Sequence, residues 1–203
     1  MDKKKLLMMV EIAIFAAIGL VLDQYAFKLW AQGGSISFVM LPIVLMAIRW
    51  GLAAGLATGL IIGVLQMVFG AYILHWVQAL LDYGIAFTAV GVAAVVRKPL
   101  LEATKALNKA KMTTYIVIGI FIGGLLRFSA HLLAGVVFFK EYAGDENVWK
   151  YSILYNASYM LPATIITAGI AVLLFTSAPR LLKTFNSLQN MSSTSKSGSS
   201  TSG

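Results

Sequence analysis

The chain has 203 residues, of which 59% are hydrophobic and only 12% charged, and its mean hydropathy is +0.83. A soluble domain carries about 25% charged residues, and one of this size lacks the interior to hide so many apolar side chains; cytosolic enzymes, nucleic-acid binders and disordered scaffolds are excluded. The net charge of +8 then points to membrane orientation rather than to nucleic acid, and the absence of cysteine excludes disulfides and thiolate metal sites.

Six apolar segments follow in chain order: Leu6–Leu22, Phe38–Ile48, Leu52–Phe69, Ile73–Val96, Tyr115–Phe139 and Tyr151–Phe175. The first follows Lys3, Lys4 and Lys5 but lacks a small-residue cleavage site, so it reads as a retained helix. The second is short and bounded by Pro42 and Arg49; it is expected to be tilted, irregular or partly covered by protein. Residues 1–185 thus read as one all-α membrane domain of six transmembrane helices. Residues 186–203, rich in Ser, Thr and Gly, read as a disordered tail.

Orientation is tested by the basic residues. With the N-terminus inside, six spans return the C-terminus inside. The inner segments then hold Lys3, Lys4, Lys5, Arg49, Arg97, Lys98, Lys105, Lys109, Lys111, Arg180, Lys183 and Lys196. The outer segments hold only Lys28, Lys140 and Lys150. Such sorting is what a multi-pass protein with cytoplasmic termini requires.

Small residues mark close helix contacts. Gly51, Gly55, Gly59 and Gly63 recur every four residues, and Gly119 and Gly123 form a shorter stripe. These suit internal packing. The Ala13/Ala17 pair on the first span suits either internal packing or a separate membrane subunit.

Ionisable groups inside spans are costly and point to function. Asp82, Arg127 and His131 are the three that stand out, whereas Glu11 lies nearer an inner end. On a helical wheel, Tyr72, His75, Trp76, Ala79, Asp82 and Tyr83 fall in one arc of about 120°. Arg127, His131, Ala134, Gly135 and Phe138 share about 100°, with Phe139 just beyond. Tyr151, Ser152, Tyr155, Asn156 and Tyr159 lie within about 140°. At 1.5 Å per residue, Asp82 and His131 lie about 13 and 12 Å below the outer ends of their helices, and Arg127 about 18 Å. The expectation is a pocket opening outward, with Asp82 and Arg127 as an ion pair. Aromatic faces and a carboxylate suit a flat, cationic, amino-substituted heterocycle. Trp30, Trp50, Tyr142 and Trp149 suit interfacial anchoring.

Catalysis finds no support. Ser129 and His131 point to different faces of one helix, and neither H-E-x-x-H nor G-x-S-x-G occurs. No phosphate loop occurs either, so ATP-driven transport would need ATPase subunits from elsewhere.

Residues 6 to 180 resemble the thiamine-specific substrate-binding (S) components of energy-coupling factor (ECF) transporters, the ThiT/YuaJ group. The resemblance rests on Glu11-Ile-Ala-Ile-Phe-Ala-Ala, on Gln78 through Asp82-Tyr83, on His131 to Phe139 with Ala134-Gly135, and on Tyr151-Ser152 followed by Asn156. It implies a six-helix S component that binds thiamine from the outer side. Such a component works with a transmembrane coupling subunit of the EcfT kind and two cytoplasmic ATPases, with no cofactor of its own. Asp82 would then be the acidic ligand of the aminopyrimidine, with Tyr72, Tyr83, His131, Gly135, Phe139, Tyr151 and Asn156 at further binding positions. Trp30 stands near a loop tryptophan of the family, whose aligned positions here are Gly33 and Gly34. Phe139 replaces a ring-stacking tryptophan, and Ile62 replaces an aromatic. Ala13 and Ala17 match the pair that meets the coupling subunit, and the loop from Trp30 to Ser37 would close the site. The alternatives are the same architecture with another vitamin or a thiamine precursor, and a stand-alone proton-coupled carrier using Asp82, Arg127 and His131.

Overall fold

A computed structural model of the chain describes residues 2–30 and 33–184. The Trp30 side chain and the tail 186–203 lie outside the described part. Six helices account for the apolar segments: α1 (Lys3–Gln24), α2 (Met40–Trp50), α3 (Leu52–Val68), α4 (Trp76–Lys105), α5 (Lys109–Phe138) and α6 (Val148–Ser177). Four of them, α1, α4, α5 and α6, are long and apolar enough to cross a bilayer alone, and α2 and α3 are shorter apolar helices.

Local chemistry sets the boundaries. Asp2 caps α1 by accepting from the Lys4 amide at 3.2 Å. Asn108 caps α5 through the Lys111 amide at 3.0 Å, and Asn147 caps α6 through Trp149 and Lys150. Gly51, at φ +100°, breaks the chain between α2 and α3, in a conformation that disfavours any side chain.

The short α2 explains itself by burial. Met40 and every residue from Pro42 to Ile48 are enclosed by neighbours, so this helix is covered by protein rather than by lipid. Around it, α3, α4 and α5 meet through the glycines. A side-chain carbon at Gly59 would overlap the Phe87 carbonyl, and one at Gly63 the Tyr83 carbonyl. Gly55 packs on Ala47 and Gly91, while Gly123 faces the Val90 backbone. The glycine ladder therefore serves internal packing. By contrast, α1 is largely exposed, and Ala13 and Ala17 both lie on its uncovered side.

At the end of the bundle where the chain starts, Glu11 does more than reach an interface. Its carboxylate pairs with Arg49 (2.5 and 2.7 Å) and accepts from the Trp50 indole at 2.6 Å. Arg49 also donates to the Leu181 carbonyl at 3.0 Å and to that of Lys183, in the turn after α6 (Pro179–Leu182). Both ends of the described chain thus lie at the same end of the bundle.

Two features depart from the expected layout. The loop after α1 is a hairpin, β1 (Phe27–Trp30) with β2 (Gly33–Ile36), pairing Phe27 with Ile36 and Lys28 with Ser35. And α4 is not a uniform helix: it makes a π-helical turn over Leu80–Ile85 and a 3-10 turn over Gly91–Val96. It also starts only at Trp76, so Tyr72 lies in the preceding loop, and His75 is the capping residue whose Nδ1 accepts from Val77 at 3.1 Å.

Candidate functional site

The end of the bundle away from Glu11 and Arg49 holds a cavity of about 420 Å³, within the range usual for small-molecule sites. The end of α1, the hairpin, the end of α3 and helices α4, α5 and α6 all contribute to its wall. Asp82, Tyr83, Arg127, His131, Gly135, Phe139, Tyr151, Asn156 and Tyr72 line it together. Of the face expected on α5, Arg127, His131 and Gly135 reach the wall, as does Phe139 just beyond it, whereas Ala134 and Phe138 do not; the face expected on α6 reaches it whole. Every one of Tyr151, Ser152, Tyr155, Asn156 and Tyr159 reaches the wall.

On α4 the expected arc is split. His75 stacks on Phe138 (5.3 Å between ring centres), and neither forms part of the cavity wall. Trp76 is 72% exposed. His75 falls outside because the helix starts only at Trp76, and beyond that start the π turn over Leu80–Ile85 holds more residues per turn than the wheel assumed. It brings Asp82, Tyr83 and Phe87 to the cavity, and Gln78 joins them from the turn above.

Asp82 is the hub. Its Oδ1 lies 2.8 Å from His131 Nδ1, and its Oδ2 accepts from Gln78 Nε2 at 2.7 Å. Gln78 is itself buried and also binds the loop, donating to the Tyr72 carbonyl (3.2 Å) and accepting from the Leu74 amide (3.0 Å). The direct Asp82–Arg127 ion pair expected from the sequence is not among the ion pairs of the described residues. His131 stands between the two: Arg127 Nε donates to His131 Nε2 at 3.4 Å, while the guanidinium lies 4.4 Å above the Phe87 ring. An arginine can only donate, so in that contact His131 Nε2 is the acceptor, which leaves Nδ1 as the nitrogen that faces the Asp82 carboxylate.

The remaining wall is aromatic. Tyr151 and Tyr155 stack at 5.9 Å, and Tyr155 meets Tyr159 edge-on at 5.8 Å. Phe139 lies 6.4 Å from Tyr72 and 5.9 Å from Tyr142. The Tyr83 hydroxyl accepts from the Tyr72 amide at 3.1 Å, and the Tyr72 and Tyr142 hydroxyls pair at 3.1 Å. That pairing raises the Tyr142 phenol above its ordinary value.

Two expected ligand positions carry structural duties as well. Asn156 donates to Ser152 and accepts from the Tyr159 hydroxyl at 2.6 Å. Gly135 lets Ser152 approach α5, where a side-chain carbon would overlap its hydroxyl, and Ser152 donates to the Leu132 carbonyl at 3.0 Å. The backbone of Trp30 lies in β1, but its side chain is outside the described part.

Asp23, Gln24, Gln66 and Phe87 also line the cavity and were not anticipated. Asp23 had a signal: it is a carboxylate in the last turn of an apolar span, at the same end as the pocket.

Comparison with known proteins agrees with this architecture. A relative from Bacillus subtilis, "Thiamine transporter ThiT", is 44% identical over 186 residues, covering 90% of this chain and 97% of that protein. One of the same name from Lacticaseibacillus paracasei is 32% identical over 183 residues, covering 88% and 91%. A solved structure of ThiT from Listeria monocytogenes superposes with a TM-score of 0.85 at 31% identity, covering 90% of this chain and all of that one. Residues 9–183 match the family described as thiamine transporter protein (Thia_YuaJ). The chain is a membrane protein with the six-helix fold of this transporter, a non-enzymatic class, and it belongs to the Thia_YuaJ thiamine transporter family.

Proposed function

We propose that this chain is the substrate-binding S component of an ECF importer and captures thiamine from the outer side. The observation that carries the reading is the cavity itself, where Asp82, held by His131 and Gln78, faces a wall of tyrosines. A carboxylate fixed at both oxygens still has lone pairs for an aminopyrimidine, and the aromatic faces of Phe139, Tyr151 and Tyr155 attract a cation. Tyr72, Tyr83 and Asn156 set the shape of the site, and Gly135 allows its helices to close on one another. The hairpin at the mouth serves as the cover, with Trp30 on its tip.

The exposed Ala13/Ala17 side of α1 is the surface for the transmembrane coupling subunit, and two cytoplasmic ATPases supply the energy. Both termini lie in the cytoplasm, on the side carrying Arg49, Arg97 and Lys98. No cofactor belongs to the chain. Titration calorimetry on the purified protein tests the reading. Thiamine should bind tightly, and Asp82→Ala should weaken it by about a hundredfold or more, the scale for a buried charged partner, while Lys28→Ala has little effect. No binding by the intact protein would sink the proposal. Vesicle uptake that proceeds without ATPase subunits would favour the proton-coupled carrier instead.

A further inference from the structure

Gln24, Gln66, Gln78 and Asn156 bring amide side chains to the cavity wall. Gln78 and Asn156 commit their N–H groups within the protein, the first to Asp82 and the Tyr72 carbonyl, the second to Ser152. Gln24 ends α1 and is exposed to water. Gln66, in the last turn of α3, differs from all of these. It is 6% exposed, and its enclosed Nε2 has no hydrogen-bond partner among the described residues. Ser37, Arg97 and Thr167 also carry buried atoms without a partner, but none of them belongs to the cavity wall. A buried N–H group that pairs with nothing is costly, so this one calls for a partner from the cavity.

The register of α3 on α4 gives its place. Gly59 packs on the Phe87 carbonyl and Gly63 on the Tyr83 carbonyl, so the helices run antiparallel, turn against turn. Gln66 follows Gly63 by three residues on the same face, about 4.5 Å farther along. Asp82 precedes Tyr83 by one residue and is displaced in the same direction, so carboxamide and carboxylate border the cavity at nearly one height. The terminal torsion of a glutamine is broad, and Nε2 can swing to the cavity without moving the helix. An aminopyrimidine presents side by side an amino group that donates and a ring nitrogen that accepts. An ionised Asp82 only accepts; it suits the amino group and leaves the nitrogen in need of a donor. Carboxamides meet the same donor–acceptor edge on adenine.

We propose that Gln66 is a further specificity-determining residue of this site: its Nε2 donates to the pyrimidine nitrogen beside the amino group that Asp82 holds. The assignment rests on the thiamine reading above.

The test titrates the full-length protein with thiamine and with the analogue in which C–H replaces that ring nitrogen. The wild type should bind the analogue about tenfold more weakly, the scale for a buried group left without its partner. Gln66→Leu should weaken thiamine about tenfold but the analogue by less than about twofold, since the second loss removes nothing further. Thermal unfolding without ligand gives an independent readout. An amide with no partner in the protein stabilises nothing, so Gln66→Leu should leave the Tm unchanged or raise it. Gln66→Met, which is unbranched, carries the same measurements if leucine does not pack. Equal losses for the two probes, a wild type that does not distinguish them, or a lowered unliganded Tm in both variants would overturn the assignment. Absence of thiamine binding by the wild type would instead overturn the functional reading itself.

Discussion

Replacing Gln78 by leucine keeps the side-chain bulk and removes the link between the cavity floor and the loop above it. Three hydrogen bonds disappear: the one to Asp82 at 2.7 Å, the one to the Tyr72 carbonyl at 3.2 Å, and the one from the Leu74 amide at 3.0 Å. A bond to a charged group contributes about 1.5–3 kcal/mol and each neutral one about 0.5–1.5, so the upper bound is about 2.5–6 kcal/mol. Water entering from the open cavity will replace part of this, and we expect a loss of about 2–3 kcal/mol. Thermal unfolding in detergent should show it as a lowered Tm. Hydrogen exchange should show it more specifically, as lost protection at the Leu74 amide with α5 and α6 unchanged. Thiamine affinity should fall as well, since Asp82 loses one of the two groups that aim it. If Leu74 exchanges as slowly in the variant as in the wild type, the view of Gln78 as the strut of this loop is refuted.

Other substitutions probe different links. Gly63→Val places bulk against the Tyr83 carbonyl and should destabilise the protein by about 1–3 kcal/mol or more, read from Tm, because backbone cannot move aside as a side chain can. Gly169→Ala, which meets nothing within 4 Å, should be neutral or stabilising by up to about 1 kcal/mol in the same assay. Tyr159→Phe strands the buried Asn156 oxygen and should cost about 1–3 kcal/mol in thermal unfolding. Arg49→Ala should expose the turn at Pro179–Leu182, measurable as faster proteolysis near Arg180 and Lys183.

What was legible in the sequence follows how regular each helix is. On α5 and α6 a spacing of 3.6 residues held throughout, so Arg127, His131 and Gly135, and likewise Tyr151, Ser152 and Asn156, could be assigned to one wall without coordinates. On α4 the same arithmetic mixed cavity residues with His75 and Trp76, because the helix starts only at Trp76 and then makes a π turn, neither of which a uniform wheel allows for. The Asp82–Arg127 pairing followed from charge alone; an imidazole of the right height between them changed the partners. Asp23 escaped because it sits near a helix end, where a carboxylate reads as solvated until a hairpin is folded beside it. That hairpin is only four residues per strand with two glycines, too short for alternation to show.

The contact of Arg49 with the Leu181 and Lys183 carbonyls has a consequence for how the chain's ends depend on each other. Glu11 and Arg49 come from the first two helices, and the turn after α6 supplies the remaining acceptors of the guanidinium. A chain truncated before residue 179 lacks those acceptors and leaves the guanidinium partly unsatisfied. The turn at Pro179–Leu182 therefore ties the last helix to the first two through one guanidinium, so the two ends of the described chain are held by a single shared group.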